Sequence, residues 1–371
     1  MVIWCILRSL LTLSALGFMA SEEWDSLRTF AASSSASPAM AALARKVLKA
    51  PASARADSTL RNYHSHVKRF ISFRNGLDPE APAFPSPAFH VAMFFMWTGE
   101  VTESASAVRL SHAALVWAFG LSGCPKILSD PVVVETFASV CREWAAPAVK
   151  TPDCPPALFV RVLRRGSEFP SWSPLERLRF RMITLLAYAG FFRISELLAL
   201  RLETIALFPS YASFTICQSK TNWYRQAEEV LISRSEVVEF CPVSALTEFL
   251  AAARVPLFIQ GWLCCQFSSA GSGILSGDPA FVISDSTYRK RLAEVLLSLG
   301  LDHSAITPHS FRVGGSSAAS QAKVLERLIR RHGRWTINDT AGNYQVDLIE
   351  DRLVPSRAAL RAVSALGWQG V

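Results

Sequence analysis

The eight cysteines of this 371-residue chain form no C-x-x-C pair, and no two histidines stand near one at zinc-finger spacing. A zinc site of the usual pattern is therefore not expected, and eight cysteines in this length are too few for a disulfide scaffold. We read them as reduced, buried small hydrophobes of an intracellular protein. No glycine-rich P-loop is present, so the common phosphate cradle of ATP-driven enzymes is missing. There is no cluster of carboxylates of the kind that holds Mg²⁺, and no internal repeat. The charge excess is also small. Lys and Arg number 38 against 30 Asp and Glu, a net +8. That favours a polyanionic partner over a cationic one, but only weakly at this length.

A clean membrane span is lacking as well. The first twenty residues, MVIWCILRSLLTLSALGFMA, are apolar, yet Arg8 interrupts them and no basic residue precedes them. A signal peptide carries its charge ahead of the apolar run, and an arginine inside a barely sufficient span is costly. A start at Met19 is a third reading of the same segment. What the chain has in quantity is apolar material, 50% of its residues. This excludes a wholly disordered chain and, with the length, suggests two domains.

Residues 1–56 are read as an apolar stretch followed by an Ala/Ser-rich mobile lead-in. From there Leu60, Tyr63, Val67, Phe70 and Ile71 fall at helical spacing, with Ser58 placed as N-cap. Further helices are expected near 87–97, around Val108–Phe119, and from Pro131 with Asp130 as cap. Together they make a small helical domain over 57–145. AAPAVKTPDCPP at 145–156 has four prolines, which cannot continue a helix, so 146–156 is a linker. A second domain over 157–353 should contain a long helix from Pro174 through Leu186 that ends at a left-handed cap at Gly190. Two strands follow, 212–217 and 228–233, flanking a turn, and then mostly helix. The tail, 354–371, spaces Leu360, Val363 and Leu366 as a short amphipathic helix, to be buried on its own domain or on a neighbouring copy. The fold class expected is mainly α with a small β-sheet.

Within the second domain, polar and basic residues interrupt good apolar patterns. Arg193 and Glu196 stand in RISE, Lys220 in the turn between the strands, and His309 and Arg312 in TPHSFRVGG. Arg330, Arg331, His332, Arg334 and Trp335 form RRHGRW, and Tyr344 follows in AGNYQ. Each has an ordinary explanation alone: a helix-end charge, a surface pair, a half-buried tyrosine.

In this order and spacing they resemble the tyrosine recombinase family, the phage integrase group that includes Cre-like enzymes and eukaryotic mobile-element recombinases. The resemblance covers nearly all of 57–350. It implies a helical core-binding domain followed by an α+β catalytic domain. It also implies a site-specific recombinase or integrase that breaks and rejoins DNA through a 3′-phosphotyrosine link. Arg193 and Arg312 would fork onto the phosphate, since guanidinium donates two parallel bonds and stays charged. Tyr344 would be the nucleophile, His309 its proton acceptor or orienter, and Lys220 the acid that protonates the leaving 5′ oxygen. Trp335 would donate its N–H to the phosphate. His332 is its rival, but the nine residues between Trp335 and Tyr344 favour the tryptophan. Glu196 would support the site from behind. Arg334 stands where a glycine is common in the family and is expected to contact phosphate or be solvated.

No metal and no cofactor is implied, because the cations are built in and the covalent link conserves the phosphodiester energy. The implied partners are double-stranded DNA and other copies of the chain, a homotetramer on DNA, with no membrane. The location would be the nucleus in a eukaryote and otherwise the cytoplasm. Arg61, Lys68 and Arg109 of the first domain, and Arg225, Arg289, Lys290 and Arg291 of the second, are candidates to face the duplex. The alternatives are a catalytically silent, captured DNA-binding protein and a type IB topoisomerase.

Overall fold

The computed structural model describes residues 22–32, 37–80, 83–146, 152–216, 228–256, 259–268, 273–275, 277–304, 306–335 and 347–367. The chain divides into two compact units, Met1–Val149 and Lys150–Val371.

The described part of the first unit begins with α1 (Glu22–Ala32) and α2 (Pro38–Ser53), which corrects the expectation of a mobile lead-in over those residues. The physical reason is composition: alanine is the best helix former, and the segment has its own start signal. Ser37 caps the Met40 N–H at 3.4 Å and Pro38 takes the first helical position. Ala41 and Ala44 are buried, and Leu48 packs on the unit's core.

That core is built by α3 (Asp57–Leu77), α4 (Ala88–Thr102), α5 (Ala105–Leu121) and α6 (Pro131–Glu143). Leu60, Val67 and Phe70 of the α3 stripe are buried. Ser58 is not its cap; the N-cap is Ala56, two residues earlier, with no side-chain bond, and the helix begins at Asp57. Asp130 does cap α6, accepting the Val132 N–H at 3.0 Å. Edge-on aromatic contacts fill the centre, with Phe70 at 5.2 Å from Phe94 and 5.9 Å from Phe119.

The second unit begins inside the expected linker. Cys154 is fully buried and its N–H bonds the Ser310 carbonyl at 3.1 Å, so this part of 146–156 is packed structure. Then come α7 (Pro156–Ser167), α8 (Pro174–Ala189) and the short α9 (Ile194–Leu198). Gly190 ends α8, but not in the left-handed form expected. Its φ is −97°, and Phe191, the next residue, takes φ 47°. A Cβ on Gly190 would lie 2.5 Å from Phe192 and 2.7 Å from Ile232, so close packing and not the turn demands the glycine.

An antiparallel sheet follows in the order β1 (Ile205–Leu207), β2 (Tyr211–Ile216), β3 (Glu228–Ser233), with Phe214 opposite both Ile205 and Val230. Helices complete the unit: α10 (Pro242–Ala252), α11 (Asp285–Ser298), α12 (Pro308–Gln321), α13 (Glu326–Gly333) and α14 (Ile349–Gly367). The chain is thus mainly α with a small sheet.

The tail is no appendage. Leu353, Ala359, Leu360 and Val363 of α14 are buried, the last three in the second unit's own core, and the Ser356 hydroxyl accepts the Ser233 N–H at 3.0 Å. Its apolar stripe is therefore covered by its own chain. Among the described residues, no helix is long and apolar enough to cross a membrane.

Candidate active site

Two helix starts and one helix end meet at the site. Arg193 is the N-cap residue of α9, directly after the Gly190–Phe191 turn. Glu196, three positions on, reaches back to that start. Its Oε2 accepts the Arg193 N–H at 2.9 Å and its Oε1 accepts the Arg193 guanidinium at 2.6 Å. This is the acidic half of a capping box, in which a carboxylate satisfies a backbone donor that the helix cannot. Here the carboxylate fixes the side chain of the same residue as well.

His309 and Arg312 come from the first turn of α12, three residues apart and so on one face. The glycine pair that follows brings α12 close enough to its neighbours. A Cβ at Gly315 would lie 2.0 Å from the Tyr188 carbonyl of α8, and one at Gly314 2.2 Å from the Cys154 carbonyl. Arg312 is 1% exposed. It donates to the Phe191 carbonyl and, at 2.5 Å, to the Gly333 carbonyl, so part of its five-donor fork is spent on backbone. It also lies 3.7 Å from Glu196 Oε2, and its guanidinium carbon is 5.0 Å from the Trp335 ring centre. Trp335 follows the end of α13, half-buried, with its backbone N–H on the Arg330 carbonyl at 3.0 Å.

The electrostatics are those of a cationic site. Burial pushes the Glu196 carboxyl up, but Arg334, then the N–H and guanidinium of Arg193, outweigh it and hold the carboxyl below its ordinary 4.5. Arg312 is pushed down to about 9, first by burial and then by Arg334 and Arg193, which leaves it charged at neutral pH. His309, whose side chain is at the surface, is lowered by partial desolvation, then by Arg312 and Arg193. A neutral imidazole able to take a proton is the result.

The structure thus brings Arg193, Glu196, Arg312, Trp335 and His309 together. Lys220, Tyr344 and Arg225 lie outside the described residues. Arg334 is a correction: it neither faces solvent nor presents itself to a phosphate. It is 7% exposed and donates to Glu196 Oε2 and the Phe191 carbonyl, both at 2.8 Å. His332, the rival of Trp335, is buried with Nε2 on the Ala189 carbonyl at 2.8 Å and an imidazole pushed down to about 3, chiefly by burial.

No protein-family model matches the chain. It is 25% identical over 243 residues to an integrase/recombinase xerD homolog of Selenomonas ruminantium, a match covering 63% of this chain. The chain spans 64% of the length of that relative. In sequence the chain is thus similar to a tyrosine-recombinase-type protein. Solved structures agree on the fold. The XerH site-specific recombinase, bound to palindromic difH substrate after cleavage, matches 83% of this chain and 79% of its own with a TM-score of 0.51 at 14% identity. The Tn1549 transposon integrase in complex with circular intermediate DNA matches 80% of this chain and 92% of its own, TM-score 0.51, at 12% identity.

In this tyrosine recombinase fold, some neighbours of the site carry no sequence signal. Arg331 at 2.7 Å, with Arg327, grips the Asp347 carboxylate, tying the start of α14 to α13 three residues beyond Tyr344. Glu228 opens β3 with its carboxyl raised by burial, and feels Arg334, Glu196 and Arg193. Neither Asp347 nor Glu228 belongs to a motif, and only the folded chain gives them these partners. Of the proposed duplex-facing residues, Arg61 and Lys68 are exposed seven residues apart on one face of α3, and Arg109 is exposed on α5. On α11, Lys290 is exposed, Arg289 pairs with Asp285 at 2.7 Å, and Arg291 is engaged by Glu176 and Glu294.

Proposed function

We propose that the chain is a site-specific DNA recombinase or integrase that cuts and rejoins strands through a phosphotyrosine intermediate. The observation that carries the reading is the convergence of Arg193, Arg312, Trp335 and His309 around the buried Glu196 carboxylate. Fixed cationic donors of this kind stabilise a phosphorane-like transition state by ~3–4 kcal/mol each in comparable oxyanion sites.

In this account the Tyr344 oxygen attacks phosphorus, its proton passes to His309, and the bond to the 5′ oxygen breaks as Lys220 donates a proton to it. The 3′-phosphotyrosine then exchanges onto a new 5′ hydroxyl, with no net loss of phosphodiester energy. Arg193, partly exposed beside the site, presents its free N–H groups to the phosphate, and Arg312 uses those not bound to carbonyls. Trp335 adds its indole N–H.

The first unit is the core-binding module, with Arg61, Lys68 and Arg109 on phosphates of double-stranded DNA, and the second unit is the catalytic domain. Strand exchange between two sites takes four copies, so we assign a homotetramer on DNA, in the nucleus of a eukaryote or the cytoplasm of a prokaryote. The test is covalent capture. A duplex selected by the protein from a random pool, nicked near its centre so that the released fragment diffuses away, should leave DNA attached to denatured protein. Binding without any adduct from the wild-type chain would favour the silent DNA-binding alternative.

A further inference from the structure

Arg334 stands where a side chain is disfavoured, and both terminal nitrogens of its guanidinium are engaged, while its buried Nε has no hydrogen-bond partner. It ends α13 at φ 57°, a backbone region that favours glycine. Its guanidinium turns inward and donates four bonds: to the carbonyls of Gly190 at 3.2 Å, His332 at 2.8 Å and Phe191 at 2.8 Å, and to Glu196 Oε2 at 2.8 Å. The other oxygen of that carboxylate holds Arg193 at 2.6 Å.

We propose that Arg334 is a positioning residue for Arg193, acting through Glu196 and through the Gly190–Phe191 turn from which Arg193 projects. The proposal rests on the recombinase reading for its catalytic consequence. Arg334 itself, with a side chain 2% exposed, does not reach substrate. A rigid planar fork is needed, because one side chain must satisfy three carbonyls and a carboxylate at once; a lysine is a point charge and cannot. The charge matters too. The groups facing Glu196 are Arg193 on its own helix, Arg312 on α12, Arg334 after α13 and Glu228 on β3. The charge of Arg334 is the largest single contribution that keeps the carboxylate ionised against burial, ahead of each of the bonds and the charge that Arg193 supplies.

The test uses the full chain in four forms besides wild type: Arg334→Met, Arg334→Lys, Glu196→Gln, and the Met/Gln double variant. Carbon-13 NMR of glutamate-labelled protein reads the Glu196 carboxyl directly, assigned by its loss in Glu196→Gln. The midpoint should rise in Arg334→Met and stay low in Arg334→Lys, which keeps the charge. Single-turnover cleavage of the selected nicked duplex should fall ~100-fold in Arg334→Met, as for a misplacement of about 1 Å, with binding within a few fold. Arg334→Lys should also cleave slowly, since the fork is gone. The double variant should be no slower than the worse single, because both act on one link. An unmoved Glu196 midpoint, near-normal cleavage by Arg334→Met, or multiplying defects would overturn the proposal. Should Arg334→Met not fold, Arg334→Lys and Glu196→Gln carry the cleavage comparison, and normal rates in both would overturn it equally. A wild-type chain that binds and never cleaves, with the Glu196 midpoint moving as expected, would refute the recombinase reading and leave the Arg334–Glu196 link standing.

Discussion

Replacing Leu360 with alanine tests whether the tail helix belongs to its own chain. Leu360 is 2% exposed and lies in the second unit's core, with Val363 and Ala359 fully buried beside it. A buried leucine cut to alanine costs about 2–5 kcal/mol, the spread set by how far the cavity collapses. Taking about 3 kcal/mol, the loss is a large part of a domain's usual 5–15 kcal/mol. For a unit of this size it corresponds to a fall in Tm of roughly 6–12 °C. Urea denaturation followed by circular dichroism, with calorimetry beside it, reads both numbers. Because the stripe is covered in cis, the loss should not depend on protein concentration. Arg361→Ala, at an exposed position on the same helix, should stay within about 0.5 kcal/mol. An unchanged denaturation midpoint for Leu360→Ala, or a loss that grows on dilution, would refute the packing argument and restore a docking role for the tail.

Three further outcomes follow from the site. Arg193→Lys should cripple strand cleavage while keeping charge, because an ammonium cannot hold Glu196 and a phosphate in the same geometry; a near-normal single-turnover rate would show Arg193 to be structural only. The cleavage rate should rise with pH through a midpoint below 6.5 and then level off, since burial, Arg312 and Arg193 favour neutral His309; Arg193→Gln should move that midpoint upward, and a wild-type midpoint above neutral would contradict the assignment. His332 is held down to about 3, so below its ordinary 6.5 the unfolded chain takes up a proton that the folded chain refuses. Stability should therefore fall as pH drops from 6.5 toward 3, by up to about 1.4 kcal/mol per unit, and His332→Gln should flatten that slope in urea titrations. An unaltered slope would mean His332 is not buried neutral.

Much of this architecture is legible in the sequence, because its signals are local. The α3 stripe, the Asp130–Pro131 start of α6 and the two longer strands each follow from periodicity or capping within a few residues. The site motifs are legible for the same reason: His309 and Arg312 share one helical turn, and Arg193 and Glu196 another. What escaped depends on tertiary contact or on weighing two local signals against each other. The Ala/Ser/Pro composition of the lead-in reads as loop, yet alanine propensity and the Ser37 cap carry α2. α14 starts at Ile349 and runs through Pro355, which a rule against internal proline would have used as a boundary. Arg334 looks like one more surface charge in RRHGRW. Its burial is decided by partners 138 and 143 residues away, Glu196 and Phe191, that no spacing rule can find.

The central claim is that Tyr344 becomes covalently joined to DNA. The measurement that meets it most directly is tandem mass spectrometry of the protease-digested adduct from the nicked duplex, run beside Tyr344→Phe. The account predicts a phosphonucleotide on the peptide containing Tyr344, and no adduct from the Phe variant although it binds DNA within a few fold of wild type. An adduct that persists in Tyr344→Phe, or maps to another residue, would contradict it.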